Sequence, residues 1–252
     1  MNAGIHVESL SFAYGRDTIL RDLSLVVQRG EKLGLVGPNG GGKTTFFYLL
    51  CGMLKPDSGR ISLNDVTIHP HAFNPSVAYL FQSPDDQLFS ATVFDDVAFG
   101  PLNMKLTKEE VVARSRAALR DVNCPDIAAK APHHLSGGEK RLVALASLLS
   151  MDPEVLLLDE PTSNLDMRNR RKVIDALNRL DRTMIISSHD LEFLLETCTA
   201  AAILDQHTIV ARNEIRKLFA NRPLMELHHL EKPHSLIPHT HNNHISGHPS
   251  SH

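Results

Sequence analysis

The pattern of hydrophobic and polar residues switches between the two-residue repeat of strands and the longer repeat of helices. Alternation predicts strands at Ile5 to Phe12 and Leu23 to Gln28, and an apolar run predicts a third at Lys32 to Val36. A helix follows at Thr45 to Gly52, and Arg60 to Leu63 returns to the strand pattern. Strands and helices that alternate in this way are typical of an α/β fold.

The middle of the chain has a different pattern. From Thr92 to about Pro132, apolar residues recur at helical spacing between charged residues, which predicts a helical insertion. Another helix continues to about Ser150, so the predicted helical region covers about residues 92–150. We interpret the charges as a solvated helix face, and a surface for a partner is the alternative.

The second half of the chain returns to strands and helices in alternation. Val155 to Leu158 is a continuous apolar run, as expected for a strand that is buried on both faces. A helix at Met167 to Leu180 and a strand at Thr183 to Ser187 follow, and the pattern persists to Phe219. We therefore assign residues 1–220 to one α/β domain.

Residues 221–252 differ from the rest because they contain four prolines, no aromatic residues and eight histidines. This composition predicts a disordered tail, since it offers little apolar surface to bury. The histidines are His228, His229, His234, His239, His241, His244, His248 and His252. They are dispersed, unlike an expression tag, and neutral imidazole can bind nickel, cobalt, zinc or copper. A polar tail without any ligand is the alternative.

Composition narrows the possible partners. The 252 residues are 42% hydrophobic, enough for a sizeable core, and the formal charge of −3 gives no electrostatic reason to expect nucleic acid as a partner. Cys51, Cys124 and Cys198 lie far apart, which argues against a disulfide framework or a zinc ribbon and favours a reducing cytoplasm. No run of about 18 apolar residues occurs, so we expect any work at a membrane to proceed through partner subunits.

The strongest chemical signal lies between the strand that ends at Val36 and the next helix. The segment reads Gly37-Pro38-Asn39-Gly40-Gly41-Gly42-Lys43-Thr44, and it matches the phosphate-binding pattern G-x-x-x-x-G-K-[ST]. Its glycines allow positive φ angles and a close approach of backbone N–H groups to phosphate oxygens. Lys43 is expected to reach the β- and γ-phosphates, and the Thr44 hydroxyl is expected to bind Mg²⁺. The segment therefore predicts a site for ATP or GTP with Mg²⁺.

Two carboxylates directly follow the buried strand at Val155 to Leu158. Asp159 and Glu160 thus lie at the carboxyl end of a strand, where ligands bind in sheets of this kind. Asp159 is expected to hold Mg²⁺ directly or through water. Glu160 is expected to orient, or take a proton from, the water that attacks the γ-phosphate. A pair of acids in a surface turn is the alternative, and the apolar run before them disfavours it.

Four further features each allow two interpretations. Tyr14, in a polar loop after the first strand, can stack on adenine or simply cover the surface. Gln82 can reach a metal or water beside the γ-phosphate, or be a polar strand end. His189 can donate to the γ-phosphate or be structural. Ser136-Gly137-Gly138 can bind an anion or be an ordinary helix N-cap.

In combination and in order, these segments resemble the nucleotide-binding subunit of ATP-binding cassette (ABC) transporters. The segments are residues 37–44, Gln82, 135–139, 155–160, 163–166 and His189. In that family they are the Walker A loop, Q-loop, signature motif, Walker B strand with its catalytic glutamate, D-loop and switch histidine. The resemblance implies an ABC-type P-loop NTPase fold with a mixed central sheet, an antiparallel β subdomain and a helical subdomain.

The resemblance also implies a role for each matching residue. The nucleotide-binding set is Tyr14, Gly37, Pro38, Asn39, Gly40, Gly41, Gly42, Lys43, Thr44 and Thr45. The catalytic set is Lys43, Gln82, Glu160 and His189, and the Mg²⁺ set is Thr44, Gln82 and Asp159. The signature residues are Leu135, Ser136, Gly137, Gly138 and Glu139, and the D-loop residues are Ser163, Asn164, Leu165 and Asp166. In the family, the signature of one subunit contacts the γ-phosphate held by the other. We therefore expect a homodimer, or a heterodimer with a paralogous ATPase.

A narrower likeness concerns the transported substrate. Phe81 to Phe89, Thr92-Val93 and Asp96 to Pro101 look like the ATPases of energy-coupling factor importers, and Leu135 to Arg141 is similar to their nickel and cobalt branch. This likeness implies an ATPase at the cytoplasmic face of the cell membrane that drives nickel or cobalt uptake through integral membrane subunits. The alternatives are a vitamin importer, for cobalamin or biotin, a soluble non-transport ABC ATPase, and a metal-storage or chaperone protein whose function lies in the histidine tail.

Overall fold

The computed structural model describes residues 3–237 and contains ten strands and eight α-helices within that range. The strands are β1 (Ala3–Tyr14), β2 (Asp17–Gln28), β3 (Lys32–Val36), β4 (Ser58–Leu63), β5 (Val66–Thr67), β6 (Val77–Leu80), β7 (Val155–Asp159), β8 (Thr183–Ser187), β9 (Ala200–Asp205) and β10 (Thr208–Glu214). The helices are α1 (Lys43–Leu50), α2 (Val93–Asn103), α3 (Lys108–Asp121), α4 (Gly137–Leu149), α5 (Met167–Arg179), α6 (Leu191–Thr197), α7 (Ile215–Ala220) and α8 (Arg222–Leu227).

The strands form two sheets. The larger has six strands in the order β10-β9-β3-β8-β7-β6, and all neighbours pair in parallel except β10, which is antiparallel to β9. The smaller sheet has four antiparallel strands in the order β2-β1-β4-β5. The mixed central sheet and the antiparallel sheet expected from the sequence are therefore confirmed. Because β3, β7 and β8 are parallel neighbours, their carboxyl ends meet at one edge of the larger sheet.

The larger sheet separates two hydrophobic cores. On one side, Leu33 and Leu157 pack with Phe46 and Phe47 of α1 and with the antiparallel sheet. On the other side, Leu156 and its neighbours pack against α4 and α5. Residues that alternate along β7 therefore enter opposite cores, and this double burial explains why the strand reads as a continuous apolar run.

The helical region lies between β6 and β7 and consists of α2, α3 and α4. The Thr92 hydroxyl accepts a hydrogen bond from the Asp95 N–H at the start of α2, and Thr107 begins α3 with a reciprocal capping box. Val93 and Val97 enter the same core as Leu142 of α4. Over residues 3–237, none of the helices combines the length and the apolar character needed to cross a bilayer.

The chain does not stop contributing to the core at residue 220. Helix α8 begins at Arg222, and Met225 is fully buried in the same core as α4 and α5. Leu230 and Leu236 pack against this core as well. The prediction of disorder is therefore wrong for residues 221–237. That prediction rested on the composition of residues 221–252 as a whole, whereas the apolar residues of this segment are concentrated in its first half.

One tail histidine has a structural partner. His228 is 5% exposed, and its Nδ1 lies 2.7 Å from the Asp205 carboxylate at the end of β9. Burial acts to raise the pKa of Asp205, but the hydrogen bonds with His228 and with the Gln206 N–H lower it overall. His228 therefore ties the C-terminal segment to the central sheet and is removed from the set of free tail ligands.

We expect residues 221–237 to stabilise the fold, and substitutions of two side chains of similar size in α8, Met225 and Leu227, test this. Met225→Ala should lower the free energy of unfolding by about 2–5 kcal/mol, because it leaves a cavity in the core. Leu227→Ala is the control, since Leu227 is 66% exposed and its truncation should cost less than about 0.5 kcal/mol. Urea denaturation measures both values, and equal effects of the two substitutions would contradict the burial of this segment.

Candidate functional site

The glycine-rich loop connects the end of β3 to the start of α1. Gly37 and Gly42 have φ angles of 155° and 94°, in the region that side chains disfavour. A Cβ on Gly37 would lie 2.1 Å from the Leu204 carbonyl oxygen of β9, so no other residue fits there without moving the strand. The loop is therefore held against the sheet by close backbone packing, and its N–H groups lie at the N-terminus of α1.

Lys43 is the first residue of α1 and folds back over the loop. Its Nζ donates hydrogen bonds to the carbonyl oxygens of Gly37 and Pro38, both at 2.9 Å. Burial lowers the pKa of Lys43, although the nearby Glu160 and Asp159 carboxylates act in the opposite direction. An anionic phosphate oxygen is a stronger partner for an ammonium group than a carbonyl oxygen is, so Lys43 is well placed for the predicted contact.

A cavity of ≈ 270 Å³ lies beside this loop. Its lining residues are Ile19, Asn39, Gly40, Gly41, Gly42, Lys43, Thr44, Thr45, Gln82, Asp159, Glu160 and His189. The cavity thus brings together the loop, the end of β6 and the ends of β7 and β8. Ile19 of β2 was not predicted, because nothing in the sequence distinguishes it from other strand residues. Of the predicted nucleotide-binding residues, Tyr14, Gly37 and Pro38 do not line it.

Asp159 is the last residue of β7 and is 3% exposed. Its Oδ2 accepts hydrogen bonds from the Thr44 hydroxyl at 2.7 Å and the Tyr79 hydroxyl at 3.1 Å, and its Oδ1 accepts one from the Ser187 hydroxyl. A hydroxyl and a carboxylate in direct contact are the hard oxygen ligands that Mg²⁺ prefers. The residues present therefore fit the Mg²⁺ ion that the sequence implies.

Glu160 follows Asp159 with a φ of 50°, which is uncommon for a residue with a side chain. It is 9% exposed, and burial raises the pKa of its carboxyl. The Ser188 hydroxyl donates to Oε2 at 3.3 Å, whereas Oε1 has no hydrogen-bond partner among residues 3–237. Glu160 therefore presents a buried oxygen with free acceptor capacity, as a base for water requires.

His189 lies two residues beyond Ser187, the last residue of β8. Its Nε2 is 3.6 Å from Oε1 of Glu160, too far for a hydrogen bond. Burial, with the nearby positive charge of Lys43 as a smaller contribution, lowers the pKa of His189. The imidazole is therefore neutral near pH 7 and carries one N–H donor that can face the cavity.

An arginine that the sequence reasoning did not select connects three of the predicted motifs. Arg141 of α4 is 3% exposed and donates to the carbonyl oxygens of Phe81 and Gln82 at 2.8 and 2.7 Å. It also donates to the Ser163 hydroxyl at 3.3 Å. Arg141 thus fixes the Gln82 segment to the D-loop. The sequence feature that could have identified Arg141 is its position as a basic residue at the start of an otherwise apolar stretch of helix.

The predicted signature residues form the N-terminus of α4. The Ser136 hydroxyl accepts from the Glu139 N–H at 3.3 Å, and the Glu139 carboxylate accepts from the Ser136 N–H at 2.8 Å. Ser136 is therefore the N-cap of α4. Ser136 and Gly137 are also exposed, and neither lines the cavity beside Lys43. Within this chain the signature does not join the phosphate loop.

The D-loop residues lead from Glu160 into α5. Asn164 has a φ of 59°, a conformation that asparagine tolerates better than most residues with a side chain. The Asp166 carboxylate caps α5 by accepting from the Asn169 N–H at 2.8 Å. A Cβ on Gly138 would lie 2.2 Å from Cγ of Asn169, so the signature helix and α5 approach closely here.

Tyr14 lies in a different place from the predicted one. It is the last residue of β1 and pairs with Asp17 of β2, so the prediction of a loop position is wrong. The ring is 49% exposed and packs edge-on against Phe12 with centroids 4.8 Å apart. About half of the Tyr14 side chain is therefore open to solvent.

The predicted transition-metal site is not formed by the described residues. Within residues 3–237, no group of three or more histidine, cysteine, aspartate or glutamate side chains is close enough to hold a metal ion. Five of the tail histidines lie outside the described residues, namely His239, His241, His244, His248 and His252.

Comparison with known proteins decides the family. The family model described as ABC transporter matches residues 20–163. An ABC transporter ATP-binding protein of Synechocystis sp. is 48% identical over 233 residues, which cover 92% of this chain and 82% of that relative. The chain is a member of the ABC transporter family. The predicted family, the ABC-type P-loop fold and ATPase activity are thereby confirmed, and ATP and Mg²⁺ follow from the ATPase domain.

Two further ABC proteins are informative. The energy-coupling factor transporter ATP-binding protein EcfA of Carboxydothermus hydrogenoformans is 37% identical over 240 residues, which cover 92% of this chain and 88% of that protein. The structure of CbiO1 from Clostridium perfringens, described as part of the ABC transporter complex cbiONQ, superposes with a TM-score of 0.78 and 32% identity. That match covers 90% of this chain and 94% of that chain.

Proposed function

We propose that this chain is the ATPase subunit of an energy-coupling factor importer and drives uptake of nickel or cobalt through separate membrane subunits. The observation that carries the ATPase part is the cavity that joins Lys43, Asp159, Glu160 and His189 at one sheet edge. The similarity to EcfA and to CbiO1 supports the importer class. ATPase subunits of ABC transporters are peripheral to the membrane, and we propose the cytoplasmic face as the location of this one.

The proposed chemistry uses the chain mainly to position charge. The N–H groups of the glycine-rich loop and the Lys43 ammonium bind the phosphates, while Thr44 and Asp159 are the residues that would hold Mg²⁺. When bound, Mg²⁺ neutralises charge that develops on the phosphate oxygens. Glu160 accepts a hydrogen bond, and then a proton, from the attacking water. His189 donates its N–H to the γ-phosphate, and Gln82 orients the same water or the ion.

We propose that each site is completed by a second subunit. Ser136 and Gly137 form an exposed helix N-terminus, a favourable position for an anion, yet they lie outside the Lys43 cavity of their own chain. A head-to-tail dimer would place the signature of one subunit over the γ-phosphate held by the other. One chain supplies both halves, so a homodimer is sufficient, and a paralogous ATPase is the alternative partner.

We propose that the membrane subunit docks in an aromatic groove beside the site. The groove contains Phe73, Phe81, Phe89 and Phe99, with Phe73 and Phe89 each 67% exposed. Exposed aromatic rings in a group are unfavourable in water and mark an interaction surface. An apolar helical segment of a membrane subunit is the proposed occupant, since a groove of this kind accommodates the apolar face of a helix. The assembly named for CbiO1 supports a partner of this class.

The choice of nickel or cobalt rests on the sequence. Residues 135–141 are similar to the nickel and cobalt branch, and histidines are concentrated in the last residues of the chain. We propose that the tail histidines beyond residue 237 bind the metal weakly and at several sites, in an accessory role near the transporter. His228 has no part in this, because it is buried against Asp205.

Replacement of the proposed base tests the ATPase mechanism. Glu160→Gln should reduce the hydrolysis rate by at least about 100-fold, because the amide cannot accept a proton, while ATP still binds. Steady-state ATPase assays and equilibrium binding of an ATP analogue measure the two effects. Undiminished hydrolysis in Glu160→Gln would exclude Glu160 as the base.

The raised pKa of Glu160 predicts the pH dependence of the wild-type hydrolysis rate. As the pH is lowered, the rate should begin to fall at a higher pH than it would with a glutamate of ordinary pKa.

The docking groove is tested by co-purification with the membrane subunits. Phe89→Ser should reduce recovery of the complex in detergent roughly tenfold or more, because it removes an aromatic anchor from the interface. Val66→Ser is the matched control, since Val66 is 65% exposed on β5 and does not line the groove. Equal recovery of both variants would place the docking surface elsewhere.

The substrate is tested by uptake into cells that express this chain with its membrane subunits. We expect uptake of radioactive nickel or cobalt that is lost in Glu160→Gln. Truncation after residue 237 should retain uptake at saturating metal and raise the half-saturating concentration, because it removes five of the eight tail histidines and keeps residues 3–237. Uptake of labelled cobalamin or biotin, without uptake of metal, would replace the metal assignment by a vitamin importer.

A further inference from the structure

We propose that Tyr79 is a positioning residue for the Mg²⁺ ligand Asp159, and that it joins this ligand to the aromatic groove. The inference rests on the proposed function, because it concerns the Mg²⁺-ATP site and the docking groove described above. Neither the phosphate-loop pattern nor the motifs around it assign a role to this tyrosine.

The position of Tyr79 follows from the pairing of two parallel strands. Tyr79 on β6 lies opposite Leu157 on β7, and Asp159 is two residues further along the same face. The Tyr79 hydroxyl donates to Oδ2 of Asp159 at 3.1 Å. Tyr79 itself is only 7% exposed, so this hydrogen bond is shielded from water.

The ring of Tyr79 is held by other aromatic rings. The centroids of Phe47, Tyr48 and Phe81 lie 5.9, 5.5 and 4.8 Å from its own. Contacts of this kind on several sides restrict the ring, since each pair prefers a defined edge or offset geometry. The hydroxyl therefore has a fixed position, which is what a donor needs in order to orient a carboxylate.

Asp159 needs such a donor because the Thr44 hydroxyl, the other donor to Oδ2, is not available for this purpose alone. Thr44 donates to the same oxygen at 2.7 Å, but its hydroxyl is also expected to bind Mg²⁺. A group that must adjust to the ion cannot serve as a fixed reference for the carboxylate. The Tyr79 hydroxyl on β6 and the Ser187 hydroxyl on β8 hold Asp159 from the two neighbouring strands instead. Partners that orient metal ligands typically change metal affinity by 10–100-fold.

Tyr79 also borders the docking surface. Tyr79 lines the groove together with Phe81 and Phe89, and Phe81 packs against the Tyr79 ring. A helix seated in this groove would therefore contact the side chain that orients Asp159. This contact gives the membrane subunit a short route to the Mg²⁺ site that does not pass through the phosphate loop.

The test measures the affinity of the site for a metal ion apart from turnover. Mn²⁺ is titrated into protein saturated with a non-hydrolysable ATP analogue, and bound Mn²⁺ is followed by electron paramagnetic resonance. Tyr79→Phe keeps the ring and removes the hydroxyl, and we expect it to weaken Mn²⁺ binding roughly tenfold or more. Affinity for the analogue in the presence of EDTA should remain unchanged, because Tyr79 does not line the cavity of the phosphate loop.

A second variant separates the hydroxyl from the packing of the ring. Tyr79→Leu removes both, so it should weaken Mn²⁺ binding at least as much as Tyr79→Phe and should also lower the melting temperature. If Tyr79→Phe binds Mn²⁺ like wild type and only Tyr79→Leu is impaired, the ring merely packs and the proposal is overturned. If wild type itself binds no Mn²⁺ with the analogue, the proposed ATP site fails and the role of Tyr79 fails with it.

Discussion

The buried carboxylate of Asp159 is the interaction on which the site depends. It lies at the end of β7 and accepts hydrogen bonds from Thr44 at the start of α1, Tyr79 on β6 and Ser187 on β8. A charge with 3% exposure is costly unless it is hydrogen-bonded, and these three hydroxyls meet that requirement. The same contacts fix the phosphate loop relative to the ends of two other strands. The need to satisfy one carboxylate therefore also sets the geometry of the cavity.

Two opposite charges in the cavity are both affected by burial. Burial lowers the pKa of Lys43 and raises the pKa of Glu160, so each charged form costs more here than in water. A bound ligand would offset these costs. A phosphate group would form an ion pair with the Lys43 ammonium, and a water molecule would donate a hydrogen bond to the free oxygen of Glu160. The positive φ of Glu160 adds local strain at the same point. The cavity is thus organised for a bound nucleotide rather than for the stability of the free chain.

Several surfaces of the chain are suited to assembly. The N-terminus of α4 is exposed next to the D-loop, and Gln87 and Phe89 line the aromatic groove. Arg141 connects the segments between these two surfaces. Arg141 donates to the backbone carbonyl oxygens of Phe81 and Gln82 and to the Ser163 hydroxyl, and so ties the segment near the groove to the D-loop near the proposed dimer contact. The segments beside the two surfaces are therefore linked through one buried side chain.

The sequence by itself determined the family, the phosphate loop and the carboxylates of β7, because each depends on local requirements. Glycines are needed where the backbone curls, and an apolar run followed by acids marks a buried strand end. Tertiary structure alone decided what depends on partners distant in sequence. Tyr79 and Ser187 reach Asp159 only because β6 and β8 flank β7, and Arg141 acts through backbone carbonyls that have no sequence signature. Residues 221–237 are likewise folded because Met225 is buried in the core and His228 pairs with Asp205. Composition does not reveal either contact.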